Sequence, residues 1–407
     1  IMKLNNKIII YSFIVFTACT SDDIVQYFEY PDHNVLNIGS QLTDLYVTND
    51  SNTLIVADKG NNRVLIIDVS TDGMYIKNTV WVGSEPTSLE MTADGRYLFV
   101  GLLGGSSVSV INMATMTLEG SLNLEEDSVF DIEYLSVTCQ LIVSFISSNP
   151  FYNKTYVHAW WADQDGVWYG NNTSCSYSEN PDFVSPEITV LESNMFAVEP
   201  TEIDNVPHAG LLSMSQDESY LYILDKTLSP NRLHRYDIDD EGLSNRINNA
   251  QTAKTIDLFH DLEYISNFGV VVALSGTDPV DGLEMDHAPV YDFDNLDHIS
   301  NLDVGSAPLA VAYDAVGEHI YISPTDVDDN GMFIVEFSVS TQLQTNYYQV
   351  AGLLGSHALV VDPKGEYIYA AVDDLSDQDT HEPYNGSSFN IQKIKIIPEG
   401  TYPVNDF

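Results

Sequence analysis

Basic residues are scarce in this chain of 407 residues. Lysine and arginine together number 15, whereas aspartate and glutamate number 60, which gives a formal net charge of -45. Such a charge repels the phosphates of nucleic acid and the headgroups of anionic lipids, so we expect no nucleic-acid partner. The acidity either keeps a secreted protein in solution or attracts divalent cations, and the sequence leaves both explanations open.

Cysteine is equally scarce, with three residues in the whole chain. No CxxC, CxxCH or zinc-type spacing is present, which argues against thiolate zinc sites and attached c-type haem. In an oxidising compartment Cys139 and Cys175 are a candidate disulfide. The sequence does not show whether their Cα atoms come within disulfide distance.

Helical periodicity and the common enzyme motifs are also missing. No long apolar stripe has a period of 3.6 residues, and β-branched residues dominate the apolar runs. The chain contains no GxSxG, HExxH, GxxxxGK[ST] or dinucleotide-binding motif. Hydrophobic residues make up 44% of the chain, which suffices for a large core. These features predict an all-β protein and favour a function other than catalysis.

The first residues predict a lipoprotein signal peptide. A short basic region precedes the apolar run 8–16, which is too short to span a bilayer as a mature helix. The run ends in Phe-Thr-Ala-Cys, which resembles the bacterial lipobox and implies removal of residues 1–18 and lipidation of Cys19. The alternative is an ordinary signal peptide with an incidental cysteine. We expect an outer membrane lipoprotein that faces the periplasm or the cell surface, with residues 19–23 as linker and the lipid as its only membrane contact.

A sequence template recurs along the rest of the chain. It begins with Gly-Ser, often followed by x-Pro, and continues through an Asp-Gly turn into a strand of aromatic and β-branched residues, as in 83–100, 305–322 and 355–369. Copies start near residues 39, 83, 127, 207, 260, 305 and 355. The basic step of about 44 residues is typical of a four-stranded propeller blade.

Residues 24–407 are therefore predicted to form a single β-propeller of about seven four-stranded blades. An open array would leave exposed strand edges, so we expect a closed ring. The segment Ile24–Ile38 is predicted to supply the outermost strand of the last blade, beside Ile391–Ile397. A long insertion within about 149–205 is either an interaction loop or a tolerated surface insertion.

The repeated template resembles the YVTN-type repeats of bacterial surface and periplasmic propellers, which are related in fold to lactonase-like propellers. The resemblance implies seven blades but says little about chemistry. Lactonase-like propellers use His, Glu and Arg near the channel mouth, and no arginine of this chain can be placed there. We therefore expect an envelope-anchored, non-enzymatic propeller that binds a partner protein or scaffolds an extracellular or periplasmic assembly.

Three histidines occupy positions where a repeat enters its innermost strand, namely His208, His260 and His357, and Glu85 occupies a comparable position. Side chains at such positions face one mouth of a propeller channel, and imidazoles with a carboxylate suit a transition metal or a polar ligand. The alternative function is thus a periplasmic or surface enzyme or metal-binding propeller. Separate histidines satisfied by neighbouring loops would give the same pattern.

Calcium is the one cofactor that the sequence suggests. Asp326, Asp328 and Asn330 match the first half of a calcium-binding loop, but Phe337 stands where the closing glutamate belongs. Because Asp and Gly are also favoured in hairpin turns, the same residues fit a turn without an ion.

Overall fold

In the computed structural model, the described residues are 35–123, 128–135, 140–146, 154–158, 161–162, 167–171, 174–178, 189–192, 210–225, 233–239, 242–248, 259–274, 287–305, 308–324, 332–350, 352, 354–372 and 388–397. The predicted signal peptide and linker, with Cys19, lie outside them. No helix in this part of the chain is long and apolar enough to cross a membrane.

The described chain is built almost entirely of strands grouped in antiparallel sheets. The strands of blades 1 and 2 are β1 (Val35–Val47), β2 (Thr53–Asp58), β3 (Arg63–Asp68), β4 (Tyr75–Trp81), β5 (Pro86–Met91), β6 (Tyr97–Leu102), β7 (Ser107–Asn112) and β8 (Thr117–Asn123). A short 3-10 turn, Lys59–Asn61, connects β2 to β3.

Blade 3 contains the sheet β15-β11-β10-β9, and a separate three-stranded sheet, β12-β13-β14, is inserted between its third and fourth strands. Its strands are β9 (Ser128–Leu135), β10 (Gln140–Ile146), β11 (Lys154–His158), β12 (Trp161–Ala162), β13 (Val167–Asn171), β14 (Ser174–Ser178) and β15 (Thr189–Glu192). The inserted sheet falls within the segment 149–205.

Blades 4 to 6 each form one four-stranded sheet in chain order. Their strands are β16 (Gly210–Met214), β17 (Tyr220–Asp225), β18 (Leu233–Asp239), β19 (Gly242–Asn248), β20 (Phe259–Ile265), β21 (Gly269–Leu274), β22 (His287–Tyr291), β23 (His298–Asp303), β24 (Pro308–Asp314), β25 (His319–Pro324), β26 (Met332–Ser338) and β27 (Gln344–Val350). Blade 7 contains β28 (Leu354–Val361), β29 (Tyr367–Val372) and β30 (Ser388–Lys395).

Strand β1 closes the ring because it belongs to two blades. Its first residues pair with β30, with Leu36 opposite Ile391 and Asn37 opposite Asn390. After a register shift, its last residues pair with β2. The innermost strands β1, β5, β9, β16, β20, β24 and β28 each lie beside the next, and β28 lies beside β1. The predicted seven-bladed propeller and its closure by the segment that ends at Ile38 are thereby confirmed, while residues 24–34 lie outside the described residues.

The hydrophobic core lies between the blades rather than inside one central layer. Ile55 and Ile66 of blade 1, for example, pack with Leu98 and Val100 of blade 2. Other clusters join successive blades in the same way, and the largest joins blades 6, 7 and 1. Because neighbours cover both faces of a blade, its middle strands are continuous apolar runs, as in β21 (GVVVAL).

Polar contacts add to the closure between blades 7 and 1. Lys393 of β30 is 3% exposed, and its Nζ donates to the carbonyl oxygens of Val69 (2.9 Å) and Thr71 (2.7 Å) in the β3–β4 turn. The same Nζ lies 4.1 Å from the centre of the Tyr367 ring. A buried lysine thus links the last blade to the first.

The connections alternate between two faces of the ring because successive strands of a blade are antiparallel. We call one the turn face; it holds the connections from first to second and from third to fourth strand of each blade, such as 48–52 and 69–74. We call the other the entry face; it holds the connections from second to third strand and those into the next inner strand, such as 59–62 and 82–85.

Candidate functional site

The innermost strands carry carboxylates around the central channel. Aspartates stand at one level of blades 1, 3 and 5, and glutamates stand two residues further along in blades 2, 3 and 5. These residues are Asp44, Glu90, Asp131, Glu133, Asp261 and Glu263. The four strands that contribute them come from four different blades.

Each aspartate accepts one backbone N–H group from its own strand and one from the inner strand of the next blade. Asp44 accepts from Leu45 on its own strand (2.7 Å) and from Leu89 on the next blade (2.7 Å). Asp131 does the same with Ile132 (2.9 Å) and Leu212 (2.8 Å).

The third aspartate, Asp261, accepts from Leu262 (2.9 Å) and from Val311 of blade 6 (3.0 Å). An innermost strand has no strand beside its inner edge, so its amides need other acceptors. The aspartates supply these acceptors and join blade 1 to 2, blade 3 to 4 and blade 5 to 6.

Burial raises the pKa of four of the channel carboxyls, namely Asp44, Glu90, Glu133 and Glu263. Burial raises the pKa of Asp44 well above its ordinary value, and the charge of Asp131 raises it further. Burial and then Asp131 raise the pKa of Glu133 to about 8. The pKa of Glu90 is raised by burial and by Glu133, and that of Glu263 by burial and by Asp261. These mutual effects show that side chains from four blades share one space.

The structure brings one predicted histidine to a channel carboxylate. Nδ1 of His357 in blade 7 lies 3.2 Å from Oδ1 of Asp261 in blade 5. The backbone of His357 has a φ of 53°, in the left-handed region that is strained for a residue with a side chain. His260 is half-buried and occupies the equivalent position of blade 5, one residue before Asp261.

Glu85 lies apart from that level, in the connection that leads into β5 on the entry face. Its Oε2 lies 3.4 Å from Nζ of Lys59, and its backbone N–H donates to Oδ1 of Asn62 (2.8 Å). The inner strands can be aligned by their pairing with the second strand of each blade. In this alignment Glu85 lies two residues nearer the entry face than His260 and His357. The structure thus places it in a surface ion pair at the channel mouth.

His208, the calcium candidates Asp326, Asp328 and Asn330, and Cys139 lie outside the described residues. Cys175 is part of β14. Within the ranges given above, no group of three or more His, Cys, Asp or Glu side chains is arranged to hold a metal ion.

The channel carboxylates were not predicted from the sequence, although their pattern is repeated. The segments 43–47 (TDLYV), 130–134 (FDIEY) and 260–264 (HDLEY) share an aspartate before an apolar residue. The last two also share the glutamate and the tyrosine that follow. Ionisable residues inside otherwise apolar inner strands are the signal that could have found this lining.

No protein-family model matches the sequence, and no curated protein matches it. Solved structures match over most of the chain. Hydrazine synthase of Kuenenia stuttgartiensis has a TM-score of 0.59 and 14% identity over 91% of this chain and 99% of that chain. U3-55K has a TM-score of 0.58 and 11% identity, with coverage of 90% and 99%. The WD40 repeats of RRP9 have a TM-score of 0.58 and 11% identity, with coverage of 89% and 98%. At such identities the likeness shows the β-propeller fold alone.

Proposed function

We propose that this chain is an envelope-anchored, non-enzymatic propeller that binds a partner protein or scaffolds an extracellular or periplasmic assembly. The observation that carries the proposal is the exposure of large apolar side chains on a strongly acidic surface, including Tyr75 (64% exposed), Trp81 (65%) and Val316 (66%). Contact with a partner would remove these apolar side chains from water, which is energetically favourable.

The fold supports the same function. Seven blades present their turns on two broad faces, and turns held by a rigid scaffold are where binding residues usually lie. The likeness to WD40 repeats supports a role as a protein-interaction scaffold. We propose further that the chain is a YVTN-type propeller, because its Gly-Ser-x-Pro template resembles those repeats.

Binding is tested with the full chain, tagged and expressed in its own bacterium. Proteins are cross-linked in intact cells with a reversible reagent and purified under denaturing conditions. We expect one protein in near-equimolar amount that is absent when an unrelated tagged lipoprotein is used. Recovery of no such protein contradicts the proposed function.

The anchor is tested separately, through Cys19. If Cys19 is lipidated, Cys19→Ser moves the protein from the membrane fraction to the soluble fraction, whereas the neighbouring Ser21→Ala leaves it in the membrane. An unchanged membrane fraction for Cys19→Ser contradicts the lipid anchor.

A metal-binding or enzymatic propeller is the second candidate, and the contact between His357 and Asp261 in the channel favours it. Elemental analysis of native protein tests it. A stoichiometric transition metal that is lost in both His357→Ala and Asp261→Asn supports this candidate. Native protein without bound metal, together with unchanged ligand binding in the histidine variant, removes it.

A further inference from the structure

Within the described part of the chain, the exposed large apolar side chains are concentrated on one face of the ring. On the turn face, they lie in turns or within the first two residues of the strands that follow them. They are Tyr75, Ile76, Leu118, Ile299, Val316 and Leu343. Only two others are exposed among the described residues: Trp81 ends β4 at the entry face, and Tyr347 lies within β27. Among the described residues, six of these eight side chains thus belong to the turn face.

The apolar residues fall into two patches. The blade 1–2 patch consists of Tyr75, Ile76 and Leu118, and its two blades are joined where Nδ2 of Asn78 donates to the carbonyl of Met116 (2.8 Å). The inserted sheet of blade 3 belongs to the same face, because it lies between the third and fourth strands, and its strand β12 lies beside β8. The face therefore continues across blades 1, 2 and 3.

The blade 5–6 patch consists of Ile299, Val316 and Leu343. The two turns of blade 6 that carry Val316 and Leu343 are joined by the N–H of Val339, which donates to the carbonyl of Glu318 (3.0 Å). Ile299 lies on the outermost strand of the neighbouring blade 5. Apolar groups thus recur on two sides of the ring axis.

Carboxylates accompany the blade 1–2 patch on the turn face and recur in blade 4, and one of them, Asp94, is paired with Nε of Arg96 (2.5 Å). Asp50, Asp94 and Asp217 stand at the same place in the first turns of blades 1, 2 and 4, where each accepts a side-chain hydroxyl hydrogen bond of 2.7 to 2.8 Å. The hydrogen bond from Thr48 lowers the pKa of Asp50, and that from Ser215 lowers the pKa of Asp217. A lowered pKa keeps these two side chains negatively charged at neutral pH.

We infer that the turn face is the binding face of this propeller and that its partner is a basic protein with apolar residues set among lysines and arginines. The inference rests on the proposed function and names the face and the partner class. Basic groups complement the aspartates, while apolar groups of the partner cover the two patches. Anionic lipid and RNA are repelled by the same charge, which excludes them as occupants.

Site-specific photo-cross-linking in cells tests the face. A photoreactive amino acid replaces Tyr75 or Val316 in the full chain, with Trp81 and Tyr347 as matched exposed positions off the turn face. We expect adducts at the first two positions with one protein in which lysine and arginine outnumber the acidic residues. Equal or stronger adducts at Trp81, or an acidic partner, overturn the inference but leave the proposed function standing; no adduct at any position contradicts both.

A second test uses purified protein and two synthetic peptides of equal positive charge. One peptide carries leucine and tryptophan between its lysines and arginines, and the other carries serine at those places. We expect tighter binding of the apolar peptide, weakened about tenfold by the double variant Tyr75→Ser and Leu118→Ser. Trp81→Ser serves as the control and changes affinity less than about twofold.

The peptide test also separates specific docking from charge alone. Equal affinity for both peptides, or equal losses in Trp81→Ser and in the double variant, overturns the inference. All of the substituted side chains are exposed, so the variants should unfold at the temperature of the parent protein. A melting curve on each variant checks this before affinities are compared.

Discussion

Replacing Lys393 by methionine tests how the last blade is fastened to the first. Methionine keeps the length and apolar body of the lysine stem, so contact with the Tyr367 ring is largely retained. The change removes the two hydrogen bonds from Nζ to the carbonyls of Val69 and Thr71. It therefore isolates the polar link between blade 7 and the β3–β4 turn of blade 1.

The expected loss follows from these contacts. Hydrogen bonds that involve a charged group contribute about 1.5–3 kcal/mol each. Burial lowers the pKa of Lys393, so its ammonium group also carries a desolvation cost, which the substitution removes. The free energy of unfolding should fall by about 2–4 kcal/mol in total.

Urea unfolding, followed by tryptophan fluorescence and circular dichroism, measures the change. Lys395→Met is the control, because Lys395 lies two residues further along the same strand and is exposed; its effect should stay within about 0.5 kcal/mol. Equal effects of the two substitutions would refute the link between blades 7 and 1. In Lys393→Met alone, hydrogen exchange should become faster in the β3–β4 turn.

Two further predictions concern the channel. Asp131→Ala removes the acceptor of two backbone N–H groups and should lower the free energy of unfolding by about 2–4 kcal/mol in the same urea titration. The control is Ser88→Ala, at the equivalent position of blade 2, which should change the free energy of unfolding by less than about 1 kcal/mol. The native pKa values of Glu90, Glu133 and Glu263 lie above their values in the unfolded chain. The stability that these groups contribute is therefore complete below about pH 4 and is lost as the pH rises through the native pKa, which is about 8 for Glu133. The urea midpoint should therefore fall between about pH 5 and pH 9, less steeply in Glu133→Gln; a midpoint that rises with pH contradicts the assignment.

The number of blades and the closure of the ring could be predicted because both follow from local sequence patterns that are repeated along the chain. Turn residues between apolar strands recur in each copy, and every inner strand begins within a few residues of its predicted start. The strand that closes the ring is recognisable because Leu36 and Ile38 continue an apolar pattern that the first copy does not need. Local propensity and global topology agree at these positions.

The partners of the polar residues could not be predicted, because each partner belongs to another blade. Lys393 and Lys395 alternate in the same strand and look alike in sequence, yet only one is buried, against a turn more than 300 residues away. The predicted equivalence of Glu85 and His357 is wrong by two positions, because the register shift of β28 extends from Leu354 to Leu359 whereas that of β5 extends only from Pro86 to Ser88. Shifts of this kind are set by packing between blades and leave no local signal.

The closing strand is tested most directly by a disulfide across its pairing with β30. In a chain with Cys139 and Cys175 replaced by serine, the pair Asn37→Cys and Asn390→Cys lies in register, and the pair Asn37→Cys and Gln392→Cys does not. Closure predicts an intramolecular disulfide in the first pair, seen as a mobility shift that reduction abolishes, and none in the second. Equal cross-linking of both pairs, or of neither, would contradict a ring closed by its first strand.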